Sequence, residues 1–202
     1  MNRALAFAAA LALGITALPA SAQVKIGFIA TFSGPGGALG QDLYDAFMLG
    51  IEHAGGKLGG QTVEVIKEDD QLKPEVGVQI AQKLIEKDKV QIVTGIIFSN
   101  VMMAIYKPII GARVFLIGSN AGPTPISGKE CSPYFFSTSW NNDSLHEPMG
   151  KLATDLGYKR VYVLAPNYQA GKDATSGFKR PPRHMGTPSS QPRTSTNWPP
   201  TV

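Results

Sequence analysis

The chain has 202 residues, 43% of them hydrophobic and 17% charged, which is enough apolar material for a buried core and unlike disordered or collagen-like chains. Its formal net charge of +4, from 19 basic and 15 acidic residues, is scattered without a Lys/Arg stripe, so neither nucleic acid nor a membrane surface is indicated as a partner. A single cysteine, Cys131, excludes an internal disulfide, and the lack of any C-x-x-C or Cys/His cluster excludes a structural zinc site.

At the start, Met1-Asn2-Arg3 precede an apolar run from Ala4 to Leu18, and Ala20-Ser21-Ala22 supply the small residues a signal peptidase reads. Residues 1–22 therefore read as a cleaved secretory signal peptide that delivers a chain beginning at Gln23 to the periplasm; a retained N-terminal anchor is the alternative. The apolar run is short for a membrane span.

Val24 to Phe32 reads as a first strand, followed by the glycine-rich turn Ser33-Gly34-Pro35-Gly36-Gly37-Ala38-Leu39-Gly40. The next helix is expected to place Leu43, Phe47, Gly50 and Ala54 on one face and to end at Gly55-Gly56. Thr62 to Ile66 forms a second strand. A helix after Pro74 carries Val76, Ile80 and Leu84 and stops in Glu86-Lys87-Asp88-Lys89. Val90 to Phe98 is a third strand, Ser99 to Ile110 a helix with an expected kink at Pro108, and Val114 to Ile117 a fourth strand. An extended run from Tyr134 to Trp140 leads to a helix with Leu145, Met149, Leu152 and Leu156, then to a fifth parallel strand at Val161 to Ala165. Gln169 to Arg180 reads as an amphipathic helix broken in mid-pattern. From Pro181 to Val202 the sequence is dominated by Pro, Ser and Thr and holds no Leu, Ile or Phe, so it is expected to be a disordered tail, out of frame or spliced rather than a natural Pro-rich end.

Strands alternating with helices in this way define an α/β fold around a doubly wound parallel sheet, whose right-handed crossovers put the turns after the strands along one edge. Ligands of open α/β sheets bind at that edge. The turns concerned are Ser33 to Gly40, Ser99-Asn100, Ser119 to Gly122, and Asn167-Tyr168.

An enzyme reading finds little to stand on. Gly34-Pro35-Gly36-Gly37-Ala38-Leu39-Gly40 is one residue longer than a dinucleotide fingerprint, and Pro35 removes an amide that pyrophosphate would need, although Asp69-Asp70 sits where a ribose-binding acid belongs. No phosphate-binding G-x-x-x-x-G-K-[ST] or nucleophile elbow G-x-S-x-G occurs. His53, His146 and His184 have no metal-ligand or triad companion at suitable spacing and read as surface histidines. The turns instead offer hydroxyls and free amides. Ser99, where the third strand becomes a helix, can hold a carboxylate with roughly 0.3–1 kcal/mol of help from the helix dipole, or can simply cap the helix.

Phe32-Ser33-Gly34-Pro35, Lys67-Glu68-Asp69-Asp70 before Pro74-Glu75, and the turn from Gly95 to Ser99 resemble the first lobe of type I periplasmic binding proteins, in particular the leucine/isoleucine/valine-binding group of ABC importers. The resemblance runs over about residues 24–180. It implies a Venus-flytrap architecture with a first lobe over 23–140 and the start of a second over 141–180, C-terminally truncated. It also implies a free, monomeric binding protein that needs no cofactor and hands a small-molecule carboxylate or amino-acid-like ligand to an ABC permease in the inner membrane. On the family pattern Ser99, with Asn100, receives the ligand carboxylate, Asn120 and Ala121 add contacts from the turn after the fourth strand, and Tyr168 matches the tyrosine after the first strand of lobe two. Leu39 replaces the aromatic that packs on the ligand, and Gly122 stands where amino-acid binders place a threonine. Those replacements, with Gly118 to Pro123 and Ser139-Trp140-Asn141-Asn142-Asp143, are closer to relatives that take other small carboxylates or amides, including aromatic acids, and set Trp140 near the interlobe crossing. A ligand-sensing receptor of the same fold is the second reading and a Rossmann-like nucleotide-binding enzyme the third.

Overall fold

The computed structural model describes residues 23–128 and 130–180. The expected signal peptide over 1–22 and the tail over 181–202 lie outside them. In chain order the elements are β1 (Val24–Ala30), α1 (Gly37–His53), β2 (Lys57–Leu58), β3 (Gln61–Asp69), α2 (Pro74–Lys83), β4 (Ile92–Gly95), α3 (Ser99–Gly111), β5 (Phe115–Gly118), β6 (Phe135–Ser137), α4 (Glu147–Asp155) and α5 (Gln169–Lys179).

One six-stranded sheet carries the order β2-β3-β1-β4-β5-β6. β1 pairs parallel with both β3 and β4, β4 with β5, and β5 with β6; only the two-residue β2 runs antiparallel, against β3. From β1 the chain steps first to β3 on one side, then to β4 on the other. That reversal opens a crevice at the C-terminal ends of β1 and β4, where the flanking helices leave on opposite faces.

Because side chains alternate along β1, this strand feeds two cores. Phe28 and Ala30 point to one face, where Leu43, Tyr44 and Phe47 of α1 pack on them with Phe32 and Phe98. Ile29 points to the other, into a larger cluster with Ile80 and Ala81 of α2, Leu84, and Val101, Met102, Ile105 and Ile109 of α3. Phe28 is fully buried and makes edge contact with Tyr44, ring centroids 5.1 Å apart. The sheet is therefore doubly wound, as expected.

Several expectations need correcting. The buried face of α1 runs through Leu43 and Phe47 to Ile51, while Gly50 and Ala54 are exposed. β4 ends at Gly95 because the chain turns into the left-handed region there (φ 103° at Gly95, 41° at Ile96). α3 continues past Pro108 to Gly111. The fifth strand is absent: Val161 to Ala165 has extended-strand composition but pairs with no described strand, leaving Tyr162 90% and Leu164 87% exposed. An apolar alternating run becomes a strand only when a neighbour offers its hydrogen bonds.

Asp69 and Asp70, the pair placed where a ribose-binding acid belongs, stitch the end of β3 to the end of β1. Asp69 accepts the backbone N–H groups of Phe32 and Gln71, both at 2.9 Å. Asp70 is fully buried; its Oδ1 accepts the Thr31 hydroxyl at 2.5 Å and the Leu72 N–H at 2.8 Å, while its Oδ2 has no partner. Burial pushes the Asp70 carboxyl above the ordinary carboxylate range, against the pull of the Thr31 and Leu72 hydrogen bonds. A carboxyl raised in the folded state binds a proton more readily folded than unfolded. Its contribution is thus full below the ordinary range and is lost as pH rises through the folded value. Urea unfolding of the wild type and Asp70→Asn across pH 3–8 is expected to show the wild type losing stability relative to the variant as pH rises, with a slope up to about 1.4 kcal/mol per pH unit, the one-proton limit. Parallel profiles would show that Asp70 does not titrate in this way.

A candidate ligand cleft at the sheet edge

β4, β5 and β6 end side by side, and the turns that follow them converge. Thr94 of β4 donates its hydroxyl to the Ile117 carbonyl at 2.9 Å and lies 2.9 Å from the Ser119 hydroxyl. Asn120 donates to the Ile97 carbonyl at 2.8 Å, the Ala121 N–H bonds to the Ile96 carbonyl at 3.1 Å, and the Ser139 hydroxyl reaches the Asn120 carbonyl at 3.0 Å. The three turns are one hydrogen-bonded unit, rigid in the way a preformed pocket wall requires.

They border a cleft of about 190 Å³ lined by Ile97, Ser99, Asn120, Ala121, Trp140, Asn142, Leu145, His146, Tyr168 and Ala170. Five of the eight residues singled out from the sequence meet there: Ser99, Asn120, Ala121, Trp140 and Tyr168. The other three lie outside its lining. Leu39 sits in the first turn of α1, 55% exposed, since the glycine-rich turn folds under Phe98 rather than into the cleft. Asn100 is the second residue of α3, and its Oδ1 is buried without a partner. Gly122 acts through its backbone, its carbonyl accepting the Asn142 N–H at 2.8 Å.

Gly122 also explains its own identity. A Cβ at this position would stand 1.9 Å from the Trp140 carbonyl oxygen. A threonine cannot occupy it while the β6 turn keeps this path.

Ser99 opens α3, whose N-cap, Phe98, makes no side-chain capping bond. Ser99 is 3% exposed, and its Oγ accepts a hydrogen bond from Asn142 Nδ2 at 3.0 Å. The N-terminal residue of a 13-residue helix therefore lies in the cleft wall, at the positive end of the helix dipole. The Tyr168 ring stands edge-on to Phe98 at 6.4 Å, which fixes it in the cleft lining. No Asp or Glu is among the lining residues. Asn142, Leu145, His146, Ile97 and Ala170 complete the lining; His146, read from the sequence as a surface residue, is exposed but turned to the cleft mouth.

An open α/β sheet whose crevice holds a helix N-terminus and facing aromatic residues has the architecture of a type I periplasmic-binding-protein lobe. Comparison with known proteins agrees. The periplasmic binding protein family model matches residues 23–187, and the chain belongs to that family. It is 35% identical over 176 residues to the Leu/Ile/Val-binding protein homolog 6 of Brucella abortus (strain 2308), covering 83% of this chain and 44% of that protein. Among solved structures it resembles solute binding proteins of ABC transporters from R. palustris. One is in complex with 4-hydroxybenzoate (33% identity, TM-score 0.71, 78% of this chain and 43% of that one). Another is in complex with benzoate (30% identity, TM-score 0.73, 78% and 44%). The chain thus spans a little under half the length of the relatives it matches.

Proposed function

We propose that this chain is the ligand-binding part of an extracytoplasmic solute-binding component of an ABC importer, and that it takes a small carboxylate with an aromatic or apolar body. Residues 23–140 form the first lobe and residues 141–180 begin the second. The signal peptide over 1–22 delivers a monomer to the periplasm, where an ABC permease of the inner membrane receives the ligand.

The observation that carries this reading is the chemistry of the cleft. The Ser99 hydroxyl and the N-terminus of α3 favour an anion, while Ile97, Ala121, Trp140, Leu145 and Tyr168 supply an apolar enclosure. Among the described residues no carboxylate lines the cleft to pair with the ammonium of a zwitterionic amino acid, whose burial unpaired is costly. The R. palustris relatives, whose structures carry benzoate and 4-hydroxybenzoate, support the same ligand class.

Calorimetry on residues 23–202 with benzoate, 4-hydroxybenzoate and leucine tests it. The aromatic acids are expected to bind at least tenfold more tightly than leucine, a difference of about 1.4 kcal/mol or more. Leucine binding as tightly as benzoate, or no heat from either aromatic acid, would overturn the reading.

A further inference from the structure

Ser99 is held by Asn142, itself a wall residue of the cleft, and Asn142 is held in turn by Asp173, which lies outside the lining. Asn142 Nδ2 donates both of its protons: one to Ser99 Oγ at 3.0 Å and one to Asp173 Oδ2 at 3.1 Å. Asp173 lies in α5 and is 6% exposed, as is Asn142. It is fully engaged as an acceptor, taking the Thr124 backbone N–H on Oδ2 at 3.1 Å and the Gln169 side-chain amide on Oδ1 at 2.8 Å.

This arrangement fixes the direction of every proton in the chain. Asp173 Oδ2 already accepts the Thr124 backbone N–H, so the group of the Asn142 amide turned to that oxygen is the NH₂. The second proton of that same nitrogen then points at Ser99, whose oxygen must accept it. Ser99 is left with one proton and, among the described residues, donates it to nothing. The hydroxyl is thereby committed as a donor to the cleft.

We propose that Asp173 and Asn142 are positioning residues that orient the Ser99 hydroxyl so that it can only donate, making the cleft select ligands that accept at that point. The proposal rests on the reading of the cleft as a carboxylate site. Its physical basis is preorganisation: a donor already aimed costs no reorientation when the anion arrives. With asparagine at 173, either end of the new amide can face Asn142. The Asn142 side chain can then turn its oxygen to Ser99 and draw the hydroxyl proton away from the cleft.

A double-mutant cycle on residues 23–202 provides the test, with benzoate as probe. Asp173→Asn is expected to weaken benzoate about tenfold in the Ser99 protein and less than about twofold in the Ser99→Ala background, because its effect passes through the hydroxyl. Equal losses in both backgrounds would mean that Asp173 only supports the fold and would overturn the proposal. Asn142→Ala, which leaves Asp173 its Thr124 and Gln169 partners, repeats the cycle if Asp173→Asn fails to fold. A second measurement needs no ligand. The NMR signals of the Asn142 side-chain amide are expected to exchange slowly with solvent in the wild type, and one of the two protons is expected to shift in Ser99→Ala. If both exchange rapidly, or Ser99→Ala leaves them in place, the relay does not exist, whether or not benzoate binds. If the wild type binds no carboxylate while the amide behaves as described, the relay stands and the assigned ligand class falls.

Discussion

Gly122→Thr is expected to cost on the order of 3 kcal/mol or more of folding stability, read as a lower urea midpoint, and to abolish binding with it. The added Cβ would sit 1.9 Å from the Trp140 carbonyl oxygen, a contact with backbone that no rotamer relieves. To make room the β6 turn must move. That turn carries Trp140 and Asn142, and the Asn142 N–H is bonded to the Gly122 carbonyl itself. Gly122→Ala, with the same Cβ but no further atoms, is expected to lose nearly as much; a mild alanine variant would show that the turn can slide and that the missing threonine reflects ligand choice alone.

Ser99→Ala is expected to weaken benzoate roughly tenfold to a hundredfold while lowering folding stability by no more than about 1–3 kcal/mol. A hydrogen bond to a charged acceptor contributes about 1.5–3 kcal/mol, and here the donor stands at a helix N-terminus where the dipole adds to it. The stability cost is limited to about 1–3 kcal/mol, that of leaving one buried Asn142 N–H without its acceptor, because Asn142 keeps Asp173. Calorimetry and thermal melting of the same sample separate the two effects. Unchanged benzoate affinity would mean that the carboxylate binds elsewhere than the α3 terminus.

Much of the sheet was legible in the sequence because its signals are local. The near-continuous apolar run from Val24 to Ala30 reads as a strand buried on both sides, and Pro74 sits at the first position of α2, where a helix start favours it. Ser99 was legible for the same reason, since a serine where a buried strand turns into an apolar helix has few roles. Asn142 and His146 were not, because they sit in irregular chain between β6 and α4, where no period assigns a side chain to a face. What brings Asn142 to Ser99 is tertiary: its hydrogen bonds to Gly122 and Asp173, made across 20 and 31 residues of chain. Leu39 fails in the opposite sense. Its place in a family motif suggested the cleft, but α1 begins at Gly37 and turns that position outward. Val161 to Ala165 shows the limit of strand signals, which report what a segment can pair with and not whether a neighbour is there.

The loop before β6 has a practical side. Tyr106, from the third turn of α3, donates its hydroxyl to the Glu130 carbonyl, so this loop is fastened to the helix that begins at Ser99. The next residue, Cys131, is exposed and is the sole thiol in the chain. A maleimide fluorophore would therefore attach at one defined place, tethered to the helix whose other end lines the cleft, and the molecule arrives with its own handle for an optical biosensor.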